Sequence, residues 1–261
     1  MKLTRPAVMR LRRPLAVGAS LLAVAVAATA CSASHPPSAA MVAATPTSGL
    51  QSTFVSTVQK VLPSVVEITT SAGLGSGVVF DNTGDIVTND HVVGTSTSFS
   101  VLVNGSKTPL TAALVGTYPA SDLAVIKVNA TTPLTPATFG ASAASRVGDV
   151  VLAMGNPLGL QGSVTQGIIS AVGRTVEEPT GSGSPGATLS GVIQTSAAIN
   201  PGNSGGALVN LAGDVVGIPT LTATDPQLGG SAPGIGFAIP VSTVTSVARQ
   251  LIASGHVTIT P

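Results

Sequence analysis

A chain of 261 residues with 8 % charged residues, 2 % aromatic residues and a formal net charge of +1 has no basic face for a nucleic acid and few rings on which bases could stack. Its single cysteine excludes an intramolecular disulfide framework. Five of the 11 basic residues fall within the first 13 positions, so the remainder holds six against ten acidic residues, a formal charge of −4.

Lys2, Arg5, Arg10, Arg12 and Arg13 precede an uncharged stretch, PLAVGASLLAVAVAATAC at 14–31, in which Ala28-Thr29-Ala30 stands before Cys31. A basic start, an apolar middle and a small-residue cleavage site read as a secretory signal peptide over 1–30. Cys31 occupies the place of the lipid-acceptor cysteine of bacterial lipoproteins, with Ala28 where Leu is usual. Lipidation there would anchor an exported chain to the membrane. The alternative is an uncleaved spanning helix, since the apolar stretch is near the lower limit of about 17 residues for a span. Residues 31–52 are rich in Pro, Ser, Ala and Thr. They have little to bury and read as a tether. The folded domain is expected over 53–261.

A short helix is expected at 53–61. Six Val- and Ile-rich runs follow: VVEITT (65–70), SGVVF (76–80), DIVT (85–88), FSVLVN (98–103), LTAALVG (110–116) and DLAVIKV (122–128). After TTPLTPATFGASAAS (131–145) come six more: DVVLAM (149–154), SVTQGIISAV (163–172), SGVIQT (190–195), GALVN (206–210), DVVGI (214–218) and GIGFAI (234–239). Many short strands with turn residues between them predict an all-β fold of sandwich or barrel type. The division at 131–145 predicts two barrels, at about 53–135 and 146–240. EEPTGSGSPGATL (177–189) has no apolar pattern and is expected to be a mobile loop. Val241, Val244, Val247, Ala248, Leu251 and Ile252 share a helical face, which predicts a helix over 241–254 stopped by Gly255.

No His/Cys/Asp/Glu spacing suits a metal, and no cofactor is expected. His35 lies in the tether and His256 follows the last helix, which leaves His91 at the end of DIVTNDHVV. In NPGNSGGALVN (200–210) the hydroxyl of Ser204 is flanked by Gly202, Gly205 and Gly206. Glycines let a loop take angles closed to other residues and let another backbone come close. The G-x-S-x-G pattern also marks the nucleophile elbow of α/β-hydrolases, and Ser204, Asp225 and His256 stand in that order. That elbow needs a helix after the serine, whereas GGALVNLAGDVVGI reads as two strands. The order His91, Asp122, Ser204 belongs to the all-β serine proteases. Asp122 opens an apolar strand, where its carboxylate can be buried against an imidazole. Asp81, Asp85, Asp149, Asp214 and Asp225 read as turn or loop residues. Asp90 is adjacent to His91, and neighbouring strand side chains face opposite ways.

At this point the chain resembles the HtrA/DegP family of trypsin-like serine proteases. The resemblance is carried by GLGSGVVFDNTGDIVTNDHVV (73–93), SDLAVIKV (121–128), MGNPLGL (154–160), SVTQGIISA (163–171), IQTSAAINPGNSGGALVN (193–210) and GIGFAIPV (234–241), in the family's order. It implies two perpendicular six-stranded antiparallel barrels with the site in the cleft between them. It also implies an endopeptidase acting on proteins or peptides: Ser204 as nucleophile, His91 as base, Asp122 as its orienting carboxylate, and the N–H groups of Gly202 and Ser204 as the oxyanion hole. Ala198, six residues before the nucleophile, would line the base of the specificity pocket. Ser196 stands where the family has Asp, and Pro219 where it has Asn. The family's homotrimer, built through the N-terminal segment, is carried as an expectation, with Phe54 as its aromatic residue. Since the chain stops at Pro261, the PDZ domains of the family are expected to be missing. The competing reading is a catalytically silent protease fold, kept as a surface binding or chaperone lipoprotein.

Overall fold

The computed structural model describes residues 49–71, 73–129, 133–141, 145–156, 162–178, 186–200, 202–225 and 230–258. The expected signal peptide, Cys31 and nearly all of the expected tether lie outside these residues, as does the centre of the 177–189 loop. No helix among the described residues is long and apolar enough to cross a membrane.

The chain enters through helix α1, Gly49–Val61, which begins four residues before the expected start. In its first turns the hydroxyls of Ser52 and Thr53 both donate back to the Gly49 carbonyl. The helix is tied to the body by Thr57 Oγ1, which donates to the Leu211 carbonyl at 2.8 Å, and by Lys60 Nζ, which donates to that of Ala212 at 2.7 Å.

Six strands form the first barrel: β1 (Val65–Thr69), β2 (Leu74–Val79), β3 (Asp85–Thr88), β4 (Ser98–Val103), β5 (Leu110–Tyr118) and β6 (Leu123–Val128). Their order is β1-β2-β3-β6-β5-β4, closed by antiparallel pairing of β1 with β4. Alternate residues point inward, so Val66, Ile68, Ile86, Val101 and Ile126 fill the interior. β2 runs close to its neighbours because Gly77 has no side chain. A Cβ there would lie 2.6 Å from Ile86 and 2.8 Å from Ile68. Asp85 opens β3 rather than lying in the turn, and its buried carboxylate accepts from Lys127 Nζ at 2.7 Å.

The second barrel contains β8 (Val150–Gly155), β9 (Ser163–Glu178), β10 (Ala187–Thr195), β11 (Ala207–Asn210), β12 (Asp214–Asp225) and β13 (Gly230–Pro240). The order β11-β8-β9-β10-β13-β12 is closed by pairing of β11 with β12. A seventh strand, β7 (Thr138–Phe139), comes from the linker and pairs with β12 in parallel. Two residues carry no readable period, so β7 has no signal in the sequence. β9 and β10 also extend into the segment expected to be a loop, as far as Glu178 and from Ala187.

The faces of the two barrels that do not fill their own interiors meet in a shared core. Val65, Val78 and Val87 from the first pack with Leu152, Met154, Ala207 and Ile218 from the second. Helix α3, Val241–Ser254, has its expected bounds and lays Val244, Val247, Ala248 and Leu251 onto this core. It ends at Gly255, whose φ of 75° is the left-handed cap that glycine permits. Leu251 is fully buried. Leu251→Ala is expected to lower stability by about 2–5 kcal/mol, measured as a shifted midpoint of urea denaturation with an unchanged slope.

Candidate active site

His91 sits on a four-residue helix, α2 (Asp90–Val93), directly after β3. This replaces the strand end and turn expected there, so the strand-alternation argument that set Asp90 aside does not apply. Asp122 ends the short 3-10 turn Pro119–Ser121 and precedes β6. At φ 48° it is the one non-glycine residue with positive φ among the described residues. Aspartate tolerates this region better than most side chains. The conformation swings its carboxylate away from the β6 ladder and towards α2.

The Asp122 carboxylate is 1 % exposed and collects several donors. His91 Nδ1 lies 2.9 and 3.0 Å from its two oxygens, and the His91 backbone N–H donates to Oδ1 at 3.0 Å. Thr220 Oγ1 donates to Oδ2. Asn89 Nδ2 donates to the Asp122 carbonyl at 2.9 Å, which holds the backbone as well. A buried carboxylate needs such partners because desolvation strongly disfavours an unpaired charge.

Thr220 carries the connection across the cleft. Its hydroxyl serves Asp122 of the first barrel, while its carbonyl accepts from Ser204 Oγ at 3.4 Å. Sequence reasoning missed Thr220. An isolated Thr two residues after VVGI has no signal of its own, and only the pairing of β12 against the cleft brings it to Asp122.

The loop around Ser204 is held from several sides. The Gly202 carbonyl accepts from Ser76 Oγ at 2.5 Å, and the Asn203 N–H donates to the Asn200 carbonyl at 3.0 Å. The Ser204 carbonyl accepts from the Ser76 N–H at 2.9 Å, and the Gly205 N–H donates to the Pro219 carbonyl at 3.0 Å. The Gly206 N–H donates to the Asn203 carbonyl at 3.0 Å. The N–H groups of Gly202 and Ser204 have no hydrogen-bond partner among the described residues. Glycine is required at 202 and 205 by φ of 99° and 80°. A Cβ on Gly205 would also lie 2.2 Å from the Ser76 carbonyl.

The remaining expected residues sit as follows. Ala198 is exposed, and its carbonyl accepts from Thr165 Oγ1 at 2.8 Å. Its neighbours Ala197 and Ile199 are buried in the second barrel. Ser196 Oγ accepts the Ile168 N–H at 3.1 Å, a backbone-tying role that needs no carboxylate. Pro219 lies within β12 and supplies the carbonyl that receives Gly205. His256 is exposed with Nδ1 2.8 Å from the Ser254 carbonyl. Ser204 leads into strand β11, and the α/β-hydrolase arrangement is thereby excluded. No group of three or more His, Cys, Asp or Glu among the described residues could hold a metal ion.

The description of a trypsin-like peptidase domain matches residues 75–218, more than half of the chain. The chain belongs to the HtrA/DegP-like trypsin-like peptidases. It is 43 % identical over 219 residues to the serine protease PepD of Mycobacterium tuberculosis, covering 75 % of this chain and 46 % of PepD. It is 44 % identical over 184 residues to the serine endoprotease DegS of Escherichia coli, covering 70 % of this chain and 50 % of DegS. The solved structure of the HtrA-type protease AlgW with a tripeptide superposes with a TM-score of 0.67 at 42 % identity, over 78 % of this chain and 65 % of that one. The chain thus spans about half the length of the curated relatives it matches.

Asp90 is a second carboxylate beside this site, and it is buried. Burial raises its pKa above the ordinary carboxylate value, and the nearby charge of Asp122 raises it further. The Thr117 hydroxyl and His91 pull in the opposite direction. The native state therefore holds this proton after the unfolded chain has released it at about pH 3.9. Stability falls with rising pH through that window, because the native state binds more protons than the unfolded state. Asp90→Asn is expected to be more stable than the parent at pH 7. The difference should vanish below about pH 4, where both carboxyls are protonated; urea denaturation at the two pH values measures it.

Proposed function

We propose that this chain is an exported serine endopeptidase in which Ser204, His91 and Asp122 form the catalytic triad. The observation that carries the reading is the shared bonding of Asp122 to His91 and Thr220, with Thr220 in turn bonded to Ser204. Residues far apart in sequence are thus linked through one buried carboxylate, in the order and fold class this chemistry uses.

Ser204 Oγ attacks the scissile carbonyl and forms a C–O bond, while its proton passes to His91 Nε2. Its present hydrogen bond of 3.4 Å to Thr220 is long for a hydroxyl donor, so little opposes its turning to the imidazole. Asp122 holds Nδ1 as the protonated nitrogen and offsets the imidazolium charge. The proton then moves to the leaving amine as the C–N bond breaks, and water repeats the sequence on the acyl group. The N–H groups of Gly202 and Ser204 receive the oxyanion. Each such donor is worth about 2.7–4 kcal/mol of barrier. Ala198 brings no carboxylate to the specificity pocket, which suits small or medium aliphatic side chains before the scissile bond. Export rests on the 1–30 segment, and the periplasmic name of a DegP-like relative from Bartonella henselae agrees with it. Cys31 is proposed as a lipid anchor and a homotrimer as the assembly.

Ser204→Ala, His91→Ala and Asp122→Asn should each reduce peptide hydrolysis by at least about 1,000-fold without additivity. Wild-type-like hydrolysis by Ser204→Ala would sink the mechanism. A fluorophosphonate probe should label the parent at Ser204 and leave Ser204→Ala unlabelled. A folded parent that takes no label would favour a silent binding module. Hydrolysis should also rise with pH through the range in which imidazole loses its proton, since only the neutral ring accepts one. A rate flat from acid to mildly alkaline pH would remove His91 as the base.

A further inference from the structure

Ser76 is fully buried, at the middle of β2, between two glycines. The glycines face the barrel interior, where Gly77 meets Ile86 and Ile68. Ser76 therefore faces the other way, on the side where Val78 enters the core shared with the second barrel. A hydroxyl on such a face is anomalous unless it has partners, because a buried unpaired polar group is costly. It has two, both from the second barrel: it donates to the Gly202 carbonyl at 2.5 Å and accepts the Asn156 N–H at 2.9 Å.

We propose that Ser76 is a positioning residue, a latch on the first barrel that sets the orientation of the peptide between the two oxyanion donors. The proposal rests on the reading of Gly202 and Ser204 given above. The Gly202 carbonyl and the Asn203 N–H are the two ends of one planar peptide. Ser76 holds the first end and the Asn200 carbonyl holds the second. The peptide that follows Ser204 is clamped in the same way. The Ser76 N–H holds its carbonyl and Pro219 receives the Gly205 N–H. Between these fixed planes the Asn203 carbonyl is occupied by Gly206, and the Ser204 N–H is left to the cleft. Glycine at 202 makes this backbone soft, since its torsions are cheap to change. A rotation of the 202–203 peptide would strip the Ser76 hydroxyl of its acceptor, leaving it only the Asn156 N–H, and would strip the Asn203 N–H of the Asn200 carbonyl. Both Ser76 and Asn203 are at most 1 % exposed, so water does not replace the lost bonds. The latch thus converts a flexible glycine loop into a fixed pair of donors, and it does so only while the two barrels are docked.

The test compares Ser76→Ala with Ser76→Thr, which keeps the hydroxyl, in the full chain. The assays use a fluorogenic peptide with a small aliphatic residue before the cleaved bond and a peptide boronic acid of the same sequence. Ser76→Ala is expected to lower kcat about 100-fold, the scale of a misplaced catalytic group, with KM within about twofold. The inhibition constant of the boronate, which mimics the tetrahedral state, should rise by the same factor. Ser76→Thr should recover most of the loss. Hydrogen exchange read by mass spectrometry should be faster over 200–206 in Ser76→Ala and unchanged over β1 and β6, which separates a loosened loop from a damaged fold. A kcat for Ser76→Ala within about threefold of the parent, a rise in KM in place of the fall in kcat, or unchanged exchange over 200–206 each overturns the latch. A parent chain that neither hydrolyses the peptide nor binds the boronate refutes the reading of the site instead, and the exchange comparison still decides the latch.

Discussion

The docking of two barrels across one seam is the constraint on which the rest of this molecule depends. The seam is apolar through most of its depth, where Val78 and Val87 meet Leu152, Met154 and Ile218. At the cleft edge it turns polar. There β2 supplies both a hydroxyl and a backbone N–H to the loop 202–206, and Asp122 receives a hydroxyl from β12. Apolar burial provides the driving force, roughly 25 cal/mol per Å². The polar edge adds little net energy, yet it fixes angles and distances that burial alone leaves free.

His91 and Asp122 belong to one barrel, and Ser204 to the other. Neither barrel alone holds the set. Their alignment is carried by Thr220, which reaches Asp122 with its side chain and Ser204 with its backbone. Because one carboxylate serves both the imidazole and Thr220, displacement of either partner would leave buried charge short of donors. Asp122 also takes a left-handed backbone that few non-glycine residues adopt. Such conformations persist where the surroundings over-determine them, and here the surroundings are His91, Asn89 and Thr220.

The acidic position before His91 has a different character. Asp90 is buried near Asp122 with the same charge sign, an arrangement that costs stability at neutral pH. Its hydrogen bond from Thr117 offsets only part of that cost. Local conflict of this kind beside a site is where sequence rules are expected to give way to other demands.

Much of the fold was legible in residue order. Period-two runs of Val and Ile named the strands of both barrels, and the apolar face of 241–254 named the final helix to its last residue, because burial imposes those periods on the sequence itself. Ser204 and His91 were legible too, from glycines that only a close backbone approach requires and from elimination among three histidines. Asp122 stands before a core strand in the sequence, and in the fold its carboxylate lies within hydrogen-bond distance of His91 Nδ1. The helical turn that carries His91, the two-residue strand β7 and the roles of Thr220, Ser76 and Asp90 were not legible. Each depends on a neighbour distant in sequence: Thr220 lies 98 residues from Asp122 and Ser76 lies 126 from Gly202. Local pattern determines which segments become strands and which residues can do chemistry. Which backbone group meets which side chain across the seam is decided only when two independently patterned barrels are pressed together, since the period of a strand carries no information about its partner in another sheet.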